Sequence, residues 1–299
     1  MNTAVQLKAL VRNLAEAKNI NPQSVMANYM LERLLERIAK SKYQNNFILK
    51  GGLLISSIVG LGERATVDMD TTIKGYPLTV EKLHEILTEV IEIQVDDNIT
   101  FLLKGVAPIR EDAEYGGIRG SLEAQFDKMR IPLKIDVTTG DSITPQAIEY
   151  QYPLMFEDRN LDILAYNLET VLAEKMETIL TRSTANTRMR DFYDVYILTN
   201  LYREQIDFTL FGKALCATTE NRASTIALES AENTFENILG SIEMKRLWED
   251  YGENYPYARD IAWDEAFRAI KDLFSKYSMG ETANRLIEEN LEAFEKLVD

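Results

Sequence analysis

Apolar positions recur at helical spacing over residues 3–18 and 22–40, which predicts two amphipathic helices at the start of the chain. The second carries Met26, Leu31, Leu34, Leu35 and Ile38 on its stripe, after an Asn21-Pro22 pair that reads as a cap with proline in the first turn. From Phe47 to about Asn167 the period shortens. Strand-like segments are expected at Phe47–Leu49, Thr66–Ile73, Ile99–Ile109, Ile118–Phe126 and Ile131–Thr138, interrupted by a helix from about Val80 to Glu92. Beyond Leu168 the period is helical again, over 168–182, 190–202, 221–239 and 281–297. The pattern predicts an α+β chain: N-terminal helices and a mixed-sheet lobe over 1–167, then an α-helical lobe over 168–299.

Composition narrows the function more than the fold. With 299 residues, 45% hydrophobic and 27% charged, the chain has the proportions of a soluble globular protein. No apolar run nears the ~18 residues of a membrane span, and the first residues lack a secretory signal, so a cytoplasmic location is expected. Cys216 and His84 are each the sole residue of their type, which removes disulfides and metal sites built from several cysteines or histidines. The net charge of -15 argues against wrapping nucleic acid, although the acidity is densest in the last third. Basic clusters survive upstream at Lys50/Arg64, Lys128/Arg130/Lys134 and Arg182/Arg188/Arg190.

The chemistry-bearing residues fall in the strand region. In Thr66-Val67-Asp68-Met69-Asp70-Thr71-Thr72-Ile73, a two-residue period sends Val67, Met69 and Ile73 to one face and Asp68 with Asp70 to the other. In Ile131-Pro132-Leu133-Lys134-Ile135-Asp136-Val137 the same period leaves Lys134 and Asp136 opposite the apolar side. If the strands are neighbours, Asp68, Asp70 and Asp136 converge, and three hard oxygen donors suit Mg²⁺ or Mn²⁺. Taken alone, an acid-x-acid strand is more simply a solvated polar face. Upstream, Phe47-Ile48-Leu49 runs through Lys50-Gly51-Gly52 into the apolar helix Leu53 to Val59. Strand, glycine pair and helix form a phosphate-binding arrangement, because glycine admits backbone N–H groups to an anion and the helix N-terminus is partly positive. A plain change of chain direction explains the glycines equally, and Arg64 suits a phosphate or a neighbouring carboxylate.

In the helical region Lys175 interrupts the stripe Leu168, Val171, Leu172, Met176, Ile179 and Leu180. A lysine phased inward needs a carboxylate or phosphate partner unless it snorkels out. Asp191 is phased inward in turn, as partner to Lys175 or as a nucleotide contact. Arg182, Arg188 and Arg190 are candidate acceptor or phosphate contacts, or simply a solvated turn with internal ion pairs. Cys216 reads as core, Trp248 and Trp263 as packing of the last lobe, and Tyr193 as a candidate for stacking on a base.

Lys50-Gly51-Gly52, Arg64-x-Thr66-x-Asp68-x-Asp70, Lys134-x-Asp136, Glu174-Lys175 and Arg188-x-Arg190-Asp191-Phe192-Tyr193-Asp194, in this order, resemble the AbiEii/AbiGii nucleotidyltransferase toxins of the DNA polymerase β-like superfamily. The resemblance implies a nucleotide-phosphate loop at Gly51 and Gly52, metal ligands at Asp68, Asp70 and Asp136, and further catalytic positions at Lys175 and Asp191. Gly52-Leu53 departs from the usual Gly-Ser, leaving only backbone donors there. It also implies metal-dependent transfer of a nucleoside monophosphate from an NTP, with the 3' end of tRNA as acceptor, growth arrest as outcome, and an antitoxin that acts without stable contact. A small-molecule or protein acceptor, or a non-catalytic nucleotide-binding module, remains the alternative.

Overall fold

A computed structural model describes residues 3–109 and 116–277. The chain divides into two compact units, one comprising residues up to Asp141 with Ala147–Tyr166, the other Ser142–Gln146 with the residues from Asn167 onward. The architecture is α+β, with a sheet in the first unit and helices in the second.

The first unit runs α1 (Ala4–Lys18), α2 (Pro22–Ala39), β1 (Phe47–Lys50), α3 (Gly51–Val59), β2 (Met69–Ile73), α4 (Val80–Ile91), β3 (Thr100–Pro108), β4 (Ile118–Phe126), β5 (Met129–Thr138), β6 (Ile148–Pro153) and β7 (Asn160–Ala165). Asn21 caps α2 as its sequence predicts, accepting from the Gln23 amide at 2.8 Å, with Pro22 in the first turn. The seven strands form one mixed sheet in the order β3-β4-β5-β2-β1-β7-β6. The β2–β5 and β1–β7 pairs are parallel, and the rest antiparallel. Alternation in β4 buries Ile118, Gly120, Leu122, Ala124 and Phe126 on one face and leaves Arg119, Ser121, Glu123 and Gln125 half-buried on the other. The apolar face of this part of the sheet packs on α2 and α4.

Three sequence expectations change here. The second strand begins at Met69 rather than Thr66, because side-chain bonding holds the preceding residues in a loop. Thr66 donates to Asp68 Oδ1 at 2.8 Å, and Asn28 Nδ2 donates to the Thr66 carbonyl at 2.7 Å. Val67 is therefore 55% exposed instead of lining the core. Strands β6 and β7 were not among the expected segments. Helix α2 is buried on every face, Glu32, Arg33, Glu36 and Arg37 included. Three of these groups find partners far along the chain: Arg37 forks onto Asp97 at 2.8 and 3.0 Å, Arg33 reaches Glu157 at 2.7 Å, and Arg159 reaches Glu36 at 3.0 Å.

The second unit contains α5 (Leu168–Arg182), α6 (Met189–Tyr202), α7 (Phe208–Asn221), α8 (Ile226–Glu229), α9 (Ala231–Gly240), α10 (Ile242–Asn254) and a helical stretch over 263–277. α5 is its centre, packed by α6, α7, α8 and α9. The single helix expected over 221–239 is broken instead. Asn221 closes α7, Ala223 takes a left-handed φ of 52°, and α8 and α9 follow as separate pieces. The helix expected over 281–297 lies outside the described residues.

Candidate active site

The acids of the first unit lie where β2 meets β5. The parallel pairing sets Asp70 directly opposite Asp136, and extending the register outward places Lys50 opposite Asp70 and Arg119 opposite Asp136. Residues paired across neighbouring strands share a face, so Arg119, Asp136, Asp70 and Lys50 form a charged row across β4, β5, β2 and β1. Asp68 sits one residue before β2, half-buried, and accepts the Thr66 hydroxyl.

The outer cations are both committed. Lys50 donates to Asp141 at 2.9 Å and lies 5.5 Å from the centre of the Tyr166 ring. Burial opposes ionisation of Asp141, but Lys50 and the hydroxyl of Thr138 outweigh it and hold the carboxyl below its usual range. Arg119 Nε and Nη2 donate to the two oxygens of Asp136 at 2.7 Å each. These bonds raise the guanidinium pKa against the effect of burial, and the charges of Asp136, Asp68 and Asp70 add to the rise. Arg119 and Asp141 were both missed from sequence. Arg119 sits 17 positions from its partner, across a hairpin, where only the strand register reveals the pairing.

The glycine pair begins α3, whose first turn carries no side-chain cap. Gly51 has a φ of 65°, and a Cβ there would collide with the Asp70 carboxylate. A Cβ on Gly52 would lie 2.8 Å from Thr66 Oγ1 and 3.4 Å from Arg64 Nη2. Both glycines thus admit neighbouring side chains of the acidic loop. Arg64 is buried and donates to the Ala65 carbonyl, with its guanidinium beside Gly52.

Whether these residues suit a divalent cation is answered by the cation already among them. The Arg119 guanidinium takes both oxygens of Asp136, and Asp70 faces Asp136 across the β2–β5 pair. The donors are hard oxygens, the type that Mg²⁺ and Mn²⁺ prefer. Among the described residues, no three acidic, histidine or cysteine side chains are gathered closely enough to hold a metal as they stand.

In the second unit, Lys175 on α5 bonds Asp191 at 2.6 Å and Asp194 at 3.0 Å, both on α6. Asp191 and Asp194 are buried, and Asp191 Oδ2 finds no hydrogen-bond donor. Asp194, which closes the sequence motif but was assigned no role there, lies three residues from Asp191 on the same helical face. Arg188 and Arg190 are exposed, while Arg182 is half-buried. Tyr193 does not present itself for stacking on a base: it is fully buried, with ring centres 6.1 Å from Tyr251 and 4.8 Å from Tyr257. Cys216 is half-buried rather than core, 3.8 Å from the Tyr277 hydroxyl. Trp248 and Trp263 are buried against each other and against Tyr251 and Phe267, packing the helical unit.

Over residues 33–270 the sequence matches the family described as "Nucleotidyl transferase AbiEii toxin, Type IV TA system", and the chain belongs to that family of nucleotidyltransferases. No curated protein sequence matches it. Among solved structures it is similar to JHP933 from Helicobacter pylori, at 13% identity over 90% of this chain and 99% of that one, with a TM-score of 0.47. An antigenic nucleotidyltransferase-like protein from Paracoccidioides brasiliensis is 14% identical over 78% and 93% of the two chains, with a TM-score of 0.36. Nucleotidyltransferases use an NTP and a divalent metal. No helix among the described residues is long and apolar enough to cross a membrane.

Proposed function

We propose that this chain transfers a nucleoside monophosphate from an NTP to the 3' end of tRNA, releasing pyrophosphate, and that this arrests growth of a bacterial cell until an antitoxin counters it. The observation that carries the reading is the Asp70–Asp136 register beside the N-terminus of α3. In this reading the uncapped amides that follow Gly51 and Gly52 receive phosphate oxygens of the donor nucleotide. Asp68, Asp70 and Asp136 hold Mg²⁺ or Mn²⁺, which when bound neutralises triphosphate charge and lowers the pKa of a coordinated hydroxyl. Lys50 and Arg64 complete the nucleotide-binding set, with Lys50 held to Asp141 and the Arg64 guanidinium beside Gly52 in the ligand-free chain. Lys175, steadied by Asp191 and Asp194, is a further catalytic position in this reading, and Arg182, Arg188 and Arg190 are its candidate acceptor or phosphate contacts. An anionic acceptor is supported by Arg130 and Lys134, exposed and in phase with Asp136 along β5. The proposed setting is the cytoplasm, with the antitoxin acting without a stable complex.

The test is incubation of the full chain with each radiolabelled NTP, Mg²⁺ and total tRNA, alongside Asp70→Ala and Lys175→Ala. Labelled tRNA with the unaltered chain alone is the expected result. Equal labelling by all three would remove these residues from the chemistry, and label on protein would replace the acceptor.

A further inference from the structure

Asp136 has both carboxylate oxygens engaged by a cation that the chain itself supplies. Arg119 approaches across the antiparallel β4–β5 pair and bonds each oxygen at 2.7 Å. A forked guanidinium contact fixes the orientation of a carboxylate and balances its charge, but it sets a positive charge against the oxygens that a metal ion would have to approach. The arrangement is also one that can open. The Arg119 side chain is 38% exposed against 15% for Asp136, so the long arm lies on the solvent side and can turn away without moving either strand.

We infer that Arg119 is an internal counter-cation of the acidic site, holding Asp136 in place in the ligand-free protein and yielding it when a divalent ion and nucleotide bind. The inference rests on the proposed reading of Asp68, Asp70 and Asp136 as the cation-holding set. It makes Arg119 a positioning residue that sets how readily the ion enters. The fork keeps ions out of a site that has no nucleotide to use them, and the triphosphate tips the exchange by bringing oxygen ligands of its own.

The experiment is a Mn²⁺ titration of the full chain without nucleotide, read by electron paramagnetic resonance, on the unaltered protein, Arg119→Gln, Arg119→Lys and Asp70→Asn. Arg119→Gln is expected to bind Mn²⁺ about ten-fold or more tightly than the unaltered chain, the equivalent of losing one charged hydrogen-bonded competitor. Arg119→Lys, which keeps the charge but not the fork, should fall between them, and Asp70→Asn should bind more weakly. In chelator, Arg119→Gln should melt earlier than the unaltered chain and recover more on adding Mn²⁺. Unchanged or weaker Mn²⁺ binding by Arg119→Gln, with Asp70→Asn weakened as expected, overturns the inference and leaves the aspartate assignment standing. Mn²⁺ binding that ignores Asp70→Asn overturns both.

Discussion

Gly51 lies against the carboxylate of Asp70, so closely that the glycine has no room for even one methyl group. The residue that opens α3 and the residue at the centre of the acidic row therefore constrain each other. Gly51→Ala forces a Cβ into a left-handed φ of 65° and into Asp70 at once. The backbone alone should cost roughly 1–2 kcal/mol. Urea denaturation should show a loss at least that large, and transfer activity should fall with it because Asp70 is displaced.

Asp70→Asn keeps the size of the side chain while removing its charge. Transfer activity should drop by about 10²-fold or more, the scale seen when one preorganised electrostatic contact to a transition state is lost. The melting temperature should fall modestly, since Asp70 lies opposite Lys50 as well as Asp136 and its charge supports Arg119. A single-turnover assay paired with thermal melting checks both halves.

Lys175→Ala should damage stability as well as activity. Removing the ammonium takes a hydrogen-bonded cation from two buried carboxylates, a change worth roughly 3–5 kcal/mol when one partner of a buried pair is lost. Lys175→Ala combined with Asp191→Asn and Asp194→Asn should regain much of that stability in urea and remain inactive, which separates the two effects.

Glu32 gives the first unit a pH dependence of defined sign. Burial pushes its carboxyl from 4.5 up to about 8, against the opposing pull of the Met155 amide and Arg33. The folded chain thus binds the proton more tightly than the unfolded one. Its stabilising contribution is complete below about 4.5 and disappears as pH rises through about 8. Glu36, held down at about 2 by Arg159, Lys40 and Arg33 in spite of burial, contributes in the opposite sense and only in acid, being lost as pH falls from 4.5 through 2. Glu32→Gln should therefore flatten the decline in stability between pH 5 and 8, as measured by urea denaturation at several pH values.

Local pattern revealed what local pattern determines. The β4–β5 hairpin follows from alternation in Ile118–Phe126 and Ile131–Val137, with Asp127 turning at a φ of 52°. Asp70 and Asp136 could be placed on polar faces for the same reason. Arg119 could not, because its partner is defined by pairing and not by spacing along the chain. The burial of α2 was hidden likewise: Arg33 and Glu36 resemble a solvated face until Glu157 and Arg159 arrive from more than a hundred residues away. Thr66 and Val67 misled in the other direction, since their alternation is strand-like while a hydroxyl bond to Asp68 keeps them in a loop.

The charged row also guards against misfolding. Each of four adjacent strands contributes one ion to it, and side chains alternate between the two sides of a sheet. If β4 or β5 slipped by one position, its ion would point toward the apolar side and hydrophobic residues would face outward. The groups proposed for the chemistry therefore penalise the nearest incorrect pairings, so substitutions that neutralise the row should give a sheet more tolerant of misalignment as well as an inactive enzyme.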